Sequence, residues 1–358
     1  MYNLKDYLLN GMLYANNSLR PRHKRLSQLM LYATTACQSR CRHCSIWRKP
    51  HQHLSLLDIQ QIMQSRCVTC HTTVGLEGGE FLLHPQAEAI LQWFHTHHRN
   101  FTLLSNGLAP DRLADLVQRY PPRHLYLSLD GPRDTYLGMR GVDGYDRVLQ
   151  CIQHLACRVP TSLMFCLSPW NSVDDLEHVA QVAKDHHIDL RIGIYGTMSF
   201  FDTTSDLLPA DGFTSSIPDT IRHTDQNYDY MALYEQWRAG HLLLPCHSIR
   251  SQLVVHSNGD VPLCQNLDVV LGNIHRTPLD VIFNSRQACT TQRDYGRHCN
   301  GCWINFHRKY DIILLSNLER LIPKPLLEKA FGPYRWCADP ACTYRRHLKT
   351  IAPCCKKQ

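Results

Sequence analysis

Three closely spaced cysteines near the start of the chain form a C-x3-C-x2-C pattern at Cys37, Cys41 and Cys44. Three thiolates on one tight loop can hold three corners of a cubic [4Fe–4S] cluster. The fourth iron then has no protein ligand and is open to a molecule that it can activate. The alternatives are a structural zinc site, for which His43 is a poor fourth ligand, and three unrelated buried cysteines.

A second set of cysteines, with a glycine between the first two, lies in the last third of the chain at Cys246, Gly259, Cys264, Cys299 and Cys302. Residues 258–260 (Asn-Gly-Asp) predict a tight hairpin turn between strands at 253–256 and 261–263. This hairpin would bring Cys246 and Cys264 together at its open end, where the later C-x2-C pair could close the site. Four cysteines suit a fully ligated cluster or structural zinc, and the residues alone leave both open.

The chain has 17 cysteines in 358 residues, and this odd number does not allow all of them to pair in disulfides. Residues 1–17 lack the pattern of a secretion signal, and no apolar run is long enough to span a bilayer. We therefore expect a cytoplasmic protein whose cysteines bind metal. The net charge of +7 comes without aromatic residues between the basic ones, which argues against a nucleic-acid partner. Residues 311–331 predict a packed amphipathic helix, with a membrane surface as the alternative partner.

Alternating strands and helices position the first cysteine loop. Short aliphatic runs predict strands at 29–34, 74–76, 101–104, 124–129, 162–167 and 189–194. Apolar residues at three- and four-residue spacing predict helices at 57–63, 86–97, 111–120, 145–155 and 173–186. Six alternations predict an α/β fold with a parallel sheet. The loop follows the first strand, at the carboxyl end where α/β enzymes place their chemistry.

Polar and glycine-rich motifs follow three more strands, at Glu77-Gly78-Gly79-Glu80, Ser105-Asn106-Gly107 and Ser128-Leu129-Asp130-Gly131. In this order after the cysteine loop, they resemble the motifs of the radical S-adenosylmethionine (AdoMet) superfamily. The resemblance implies a partial (β/α)6 TIM-type barrel, an oxygen-sensitive [4Fe–4S] cluster with an open site, and AdoMet as the second cofactor. It also implies reductive cleavage of AdoMet to a 5′-deoxyadenosyl radical that abstracts hydrogen from a substrate.

The same resemblance implies AdoMet-contacting residues, which are His43, Gly78, Gly79, Glu80, Ser105, Asn106, Ser128, Asp130 and Asn171. Glycines allow a ligand to approach the backbone closely, and a carboxylate such as Glu80 can pair with the ammonium group of AdoMet. His43 stands where the chain would pass the adenine. The cluster ligands implied for the first site are Cys37, Cys41 and Cys44.

The second cysteine set resembles the SPASM and shorter "twitch" domains of the same superfamily, which hold auxiliary [4Fe–4S] clusters. Residues 271–274 (Leu-Gly-Asn-Ile) resemble the connecting segment of those domains. The resemblance implies that Cys246, Cys264, Cys299 and Cys302 hold one auxiliary cluster. After Cys302 the next cysteine is Cys337, so we expect the shorter, single-cluster version.

These patterns predict four segments: a lead-in over 1–28, the radical AdoMet core over 29–235, the SPASM/twitch-like domain over 240–310, and a C-terminal helix with a basic tail over 311–358. The tail contains Cys337, Cys342, Cys354 and Cys355; these could add ligands or form a further metal site, but spacing alone does not define one. The expected function is hydrogen abstraction from a small molecule, with a flavodoxin- or ferredoxin-type reductant as partner. The alternatives are a peptide or protein maturase, which the short lead-in disfavours, and a non-catalytic iron–sulfur electron-transfer protein.

Overall fold

The computed structural model describes residues 4–196, 201 and 227–337 of the chain. The strands of these residues are β1 (Gln28–Thr34), β2 (Thr73–Gly78), β3 (Phe101–Ser105), β4 (His124–Ser128), β5 (Thr161–Leu167), β6 (Asp189–Ile194), β7 (Gln252–Val255), β8 (Asp260–Pro262) and β9 (Val270–Asn273). Seven of them form one parallel sheet in the order β6-β5-β4-β3-β2-β1-β7. β8 and β9 form a separate antiparallel pair.

Helices alternate with the strands of the sheet. The helices before β7 are α1 (Leu4–Leu19), α2 (Leu56–Met63), α3 (Ala87–His97), α4 (Pro110–Arg119), α5 (Arg133–Arg140), α6 (Tyr145–Leu155), α7 (Val173–Asp185) and α8 (Asn227–Arg238). Those after β9 are α9 (Leu279–Asn284), α10 (Arg286–His298), α11 (Asn305–Leu318) and α12 (Lys324–Phe331). The alternation produces an α/β partial barrel, because parallel strands need crossover connections that cover one face of the sheet.

The two faces of the sheet have different environments. On the outer face, side chains such as Leu103, Leu125 and Ile192 are fully buried in the main hydrophobic core with the helices. Successive side chains along a strand point to opposite faces, and their inward-facing neighbours, such as Thr102 and Tyr126, are only half-buried. The inner face therefore lines a lumen that a ligand can reach.

The structure confirms all six predicted strands and the five predicted helices to within about two residues. A capping box begins α2, because Ser55 accepts a hydrogen bond from the Asp58 N–H while the Asp58 side chain accepts one from the backbone of Ser55. Five helices were not predicted from the sequence: α1 within the supposed lead-in, α5 after the fourth strand, and α8, α9 and α10 in the later part of the chain. The polar residues 203–219, with Pro209 and Pro218, predict a loop from the sequence, and they lie outside the described residues.

The predicted hairpin around Gly259 is only partly correct. A tight turn is present, since the Gly259 N–H donates to the His256 carbonyl and Gly259 has φ of +84°. However, β7 pairs in parallel with β1 as the seventh strand of the sheet, and β8 pairs with β9. The reason is that β7 has a free edge of β1 beside it, and the sequence pattern of a strand does not specify its partner.

The C-terminal segment packs against the rest of the protein. Ile312 and Leu315 of α11, and Leu327 and Phe331 of α12, are buried members of the main core. This packing confirms the packed-helix interpretation of residues 311–331, with a break between the helices at Pro323. In the described part of the chain, every helix is too short or too polar to cross a membrane.

Candidate active site and second cysteine site

The first cysteine loop begins where β1 ends, and the end of β2 holds its base in place. Gly79 donates its N–H to the Thr34 carbonyl at 2.7 Å, and Glu80 donates to the Ala36 carbonyl at 2.7 Å. A Cβ atom on Gly78 would lie 2.3 Å from the Thr34 oxygen, and one on Gly79 would lie 2.2 Å from the Ala36 oxygen. The glycine pair is therefore required for the end of β2 to pack against the backbone of Thr34 and Ala36. This requirement is independent of any contact that the glycines make with a ligand.

Gly79→Ala is expected to displace the cysteine loop, because the added methyl group meets backbone that cannot rotate away. Overpacking of this kind costs about 1–3 kcal/mol, and it acts directly beside Cys37. We expect the reconstituted protein to lose the iron that the first cysteine site would bind and to keep the iron of the second cysteine site. The matched control is Gly138→Ala, because nothing lies within 4 Å of a Cβ at that position. Equal iron loading of the two variants would contradict this role.

A hydrogen-bond network extends from Cys37 to the end of β3. The Asn106 Nδ2 atom lies 3.9 Å from the Cys37 Sγ atom and donates to the Ser39 hydroxyl at 3.1 Å. The Asn106 backbone N–H donates to Glu80 at 2.7 Å, and the Ser105 hydroxyl donates to Glu80 at 3.0 Å. The fully buried Glu80 also accepts from the Leu82 N–H. The network brings four of the predicted site residues together.

Arg140 connects Cys41 to β4 and was not singled out from the sequence. This buried side chain donates from Nε to Asp130 at 2.6 Å, and its Nη1 atom lies 3.7 Å from the Cys41 Sγ atom. Asp130 also accepts the Cys166 N–H, while Asn171 donates to the Cys166 carbonyl. Asp130 and Asn171 therefore lie in one network with the cysteine loop, in which Arg140 is the cation nearest to Cys41.

The three thiols of the first loop are close together and poorly solvated. Burial, with a smaller contribution from neighbouring loop cysteines, raises the pKa of Cys37 to about 11 and that of Cys44 to about 12. Burial also lowers the pKa of His43 to about 4, and its buried Nδ1 atom has no partner among the described residues. Ser128 is buried at the end of β4, and in the described part of the chain no side-chain hydrogen bond joins it or His43 to the network, although the charges of Arg140 and Asp130 act on His43.

The second cysteine set surrounds one small cavity. Cys246, Cys264, Cys299 and Cys302 all line it, together with Tyr295 and His307. The four cysteines come from three places in the chain: the segment before β7, the segment after β8, and the segment between α10 and α11. The predicted convergence of Cys246 and Cys264 with the later pair is therefore observed, although the predicted hairpin pairing is not.

A buried ion pair on α11 connects the walls of this cavity. Arg308 donates to the carbonyl groups of Cys302 and Leu244 and to the Asn300 side chain, each at 2.9 Å. Asp311 accepts the backbone N–H of His247 at 2.8 Å and lies 3.7 Å from the Arg308 guanidinium. Both side chains are fully buried. The pair thus joins the Cys246 segment to the Cys299–Cys302 segment.

Arg308→Met is expected to lower the free energy of unfolding by about 3–5 kcal/mol, because it leaves Asp311 buried without its partner. The control is Arg119→Met, which removes an exposed cation that pairs with Glu88 and Asp115, and which should cost no more than about 1 kcal/mol. Urea unfolding of both reconstituted variants measures the difference. Similar midpoints for the two variants would show that Arg308 does not connect the cavity walls.

Both cysteine sets fit iron–sulfur clusters. Three converging thiols suit a cluster with one open iron, and four thiols around one cavity suit a saturated cluster. Within 4–196, 201 and 227–337, no three His, Cys, Asp or Glu side chains are grouped so that they could hold a single metal ion. Beside the first loop, the buried Nδ1 atom of His43 has no hydrogen-bond partner among the described residues.

Known protein families match both cysteine-containing regions of the chain, and solved structures share its fold. The family model of the radical SAM superfamily matches residues 31–183, and that of SPASM, an iron–sulfur cluster-binding domain, matches residues 246–303. Nothing among the curated proteins matches the chain. SuiB of Streptococcus suis bound to the precursor peptide SuiA is similar in fold, with a TM-score of 0.61, 14% identity, and coverage of 83% of this chain and 74% of SuiB.

Native anSMEcpe with bound AdoMet and Cp18Cys peptide is also similar in fold, with a TM-score of 0.55, 14% identity, and coverage of 91% of this chain and 95% of that one. The radical SAM domain implies a [4Fe–4S] cluster and AdoMet as cofactors, and the SPASM domain implies auxiliary iron–sulfur binding. The SPASM match thus indicates iron–sulfur binding rather than structural zinc for residues 246–303. The chain belongs to the radical SAM superfamily and is a radical AdoMet enzyme with a C-terminal SPASM domain.

Proposed function

We propose that the enzyme takes a hydrogen atom from an organic substrate that enters the lumen of the partial barrel. Cys37, Cys41 and Cys44 would hold the catalytic cluster, and the four cysteines of the second cavity would hold one auxiliary cluster. When bound, the catalytic cluster and AdoMet supply reductive cleavage of the sulfonium and hydrogen abstraction by the adenosyl fragment. The observation that carries the proposal is the connected network from the loop cysteines to Glu80 and Asp130.

The Glu80 carboxylate has a hydrogen-bond acceptor site left for the proposed AdoMet contact. An ionised carboxylate offers about four acceptor sites, and the Leu82 N–H, the Ser105 hydroxyl and the Asn106 N–H use three of them. One site is left for the ammonium group of AdoMet. We expect Glu80→Gln to weaken AdoMet binding, because it removes the charge from that contact and changes the ends of β2 and β3.

The substrate we propose is a small organic molecule, and a peptide is the second candidate. The half-buried polar inner face of the sheet supports a substrate that reaches the lumen. The specific observation that favours a peptide is that SuiB and anSMEcpe, which share the fold, were solved with peptides bound. The proposed reductant is a flavodoxin- or ferredoxin-type protein.

An extract from cells grown in heavy water can identify the substrate class. The reconstituted, reduced enzyme is incubated with AdoMet and either the low-mass fraction or the peptide fraction of the extract. Deuterium in the 5′-deoxyadenosine formed with the low-mass fraction, unaffected by protease, supports a small molecule. Deuterium only from a protease-sensitive fraction supports the peptide instead. Failure to form 5′-deoxyadenosine with any fraction would contradict the proposed function itself.

A further inference from the structure

The lumen contains an acidic side chain directly before the glycine pair. Glu77 lies on β2 in register with Tyr32 of β1, and residues paired in a parallel sheet share a face. Tyr32 forms an inward cluster with Met30 and Val254, apart from the main core on the outer face. Glu77 therefore faces the lumen, one residue before the turn that secures the cysteine loop.

A glycine makes room for this carboxylate. The Glu77 Oε1 atom lies 3.4 Å from the position that a Cβ on Gly75 would take, and the Thr102 hydroxyl oxygen lies 3.7 Å from the same point. Gly75 is in register with Met30 on one side and Thr102 on the other. The carboxylate thus folds back over Gly75, in a space that a larger side chain would fill.

Glu77 has no partner of its own. Within the described ranges its carboxylate has no hydrogen bond or ion pair, and burial alone raises the pKa of Glu77 to about 7. Glu80, three residues later, is fully buried, and it accepts hydrogen bonds from three donors. A half-buried carboxylate without a partner loses part of its hydration at a cost to the folded protein, and a cation that arrives with a ligand would offset this cost.

We propose that Glu77 is a substrate-binding residue that recognises a protonated amine on the substrate. This inference rests on the proposed function, because it assigns the chemical class of the molecule from which hydrogen is taken. An amine gains a charge-assisted hydrogen bond from a carboxylate, and in a poorly solvated lumen this bond is stronger than that of a neutral hydroxyl. The competing occupant is the ammonium group of AdoMet itself, for which Glu80 is the proposed partner.

Two perdeuterated probes, pentylamine and pentanol, test the inference without knowledge of the natural substrate. Each is added to the reduced holoenzyme with AdoMet, and the fraction of 5′-deoxyadenosine that carries deuterium is measured. We expect the amine to transfer about tenfold more deuterium than the alcohol, because a hydrogen bond between two charged groups binds the probe more strongly than one to a neutral hydroxyl. Glu77→Gln should remove this preference, and Glu88→Gln, at an exposed position on α3, should keep it.

Several results would overturn the inference. These are equal or absent deuterium transfer from both probes, or an amine preference that survives Glu77→Gln. A tenfold loss of AdoMet affinity in Glu77→Gln, measured by titration calorimetry, would assign the residue to AdoMet instead. Absence of 5′-deoxyadenosine in every sample is distinguishable from these results, because it would refute the proposed function and this inference together.

Discussion

Cys41→Ala is expected to remove the catalytic cluster and leave the auxiliary cluster in place. Two cubic clusters correspond to about eight irons per chain, so the variant should retain about four. The first loop would keep only two thiolates, and Arg140 would lose the sulfur that lies 3.7 Å from its Nη1 atom. Iron and sulfide analysis after anaerobic reconstitution measures the loss, and the reduced variant should show no electron paramagnetic resonance signal that changes on addition of AdoMet.

The control for this variant is Cys157→Ala, which removes an exposed cysteine just after α6. Its iron content and its AdoMet-dependent signal should match those of the wild type. A Cys41→Ala protein that keeps about eight irons, or that keeps the AdoMet-dependent signal, would show that the open cluster is held elsewhere in the chain.

Cys302→Ala is expected to separate AdoMet cleavage from product formation. Four thiolates saturate a cubic cluster, so its proposed role is electron relay or support rather than substrate binding. Without Cys302 the auxiliary cluster should be lost or altered, while the first loop keeps all its ligands. We expect 5′-deoxyadenosine to form at a reduced rate and the substrate-derived product to fall by a larger factor. Both are quantified in the same reaction by liquid chromatography with mass spectrometry.

Folding must be followed alongside this variant, because cluster ligation can stabilise a small domain. The matched control is Cys67→Ala, since Cys67 is also a buried cysteine, lies in the main core and does not line the second cavity. If Cys302→Ala keeps its helix content but loses AdoMet cleavage as completely as a first-loop variant, the two clusters do not have separate roles. Wild-type levels of product formed by Cys302→Ala would also contradict the proposed electron-relay role of the auxiliary cluster.

The six strands of the core were predictable because each is a short aliphatic run bounded by turn residues. Helix α5 was not predictable in this way, because its buried face consists of Tyr136, Met139 and Arg140. A charged residue on the inner side of a helix removes the apolar periodicity that signals it. The same reason concealed Arg140, which contacts the cysteine loop only because Asp130 offsets the cost of burying it.

The partner of β7 could not be predicted for a different reason. Its sequence, Gln252–Val255, has the composition of any buried strand, and periodicity states that a strand forms without stating where it pairs. The glycine pair shows a related limit. Residue types indicated a close approach at Gly78 and Gly79, but only the fold shows that the backbone they approach is that of Thr34 and Ala36.

Formation of 5′-deoxyadenosine from AdoMet tests the central claim most directly. The wild-type protein and the triple variant Cys37→Ala, Cys41→Ala and Cys44→Ala are reconstituted with iron and sulfide, reduced with dithionite and incubated with AdoMet. The wild type should produce 5′-deoxyadenosine and methionine in equal amounts, and the triple variant should produce neither while its auxiliary cluster stays visible by spectroscopy. Equal formation of 5′-deoxyadenosine by the two proteins, or none by a wild type that holds both clusters, would contradict this account.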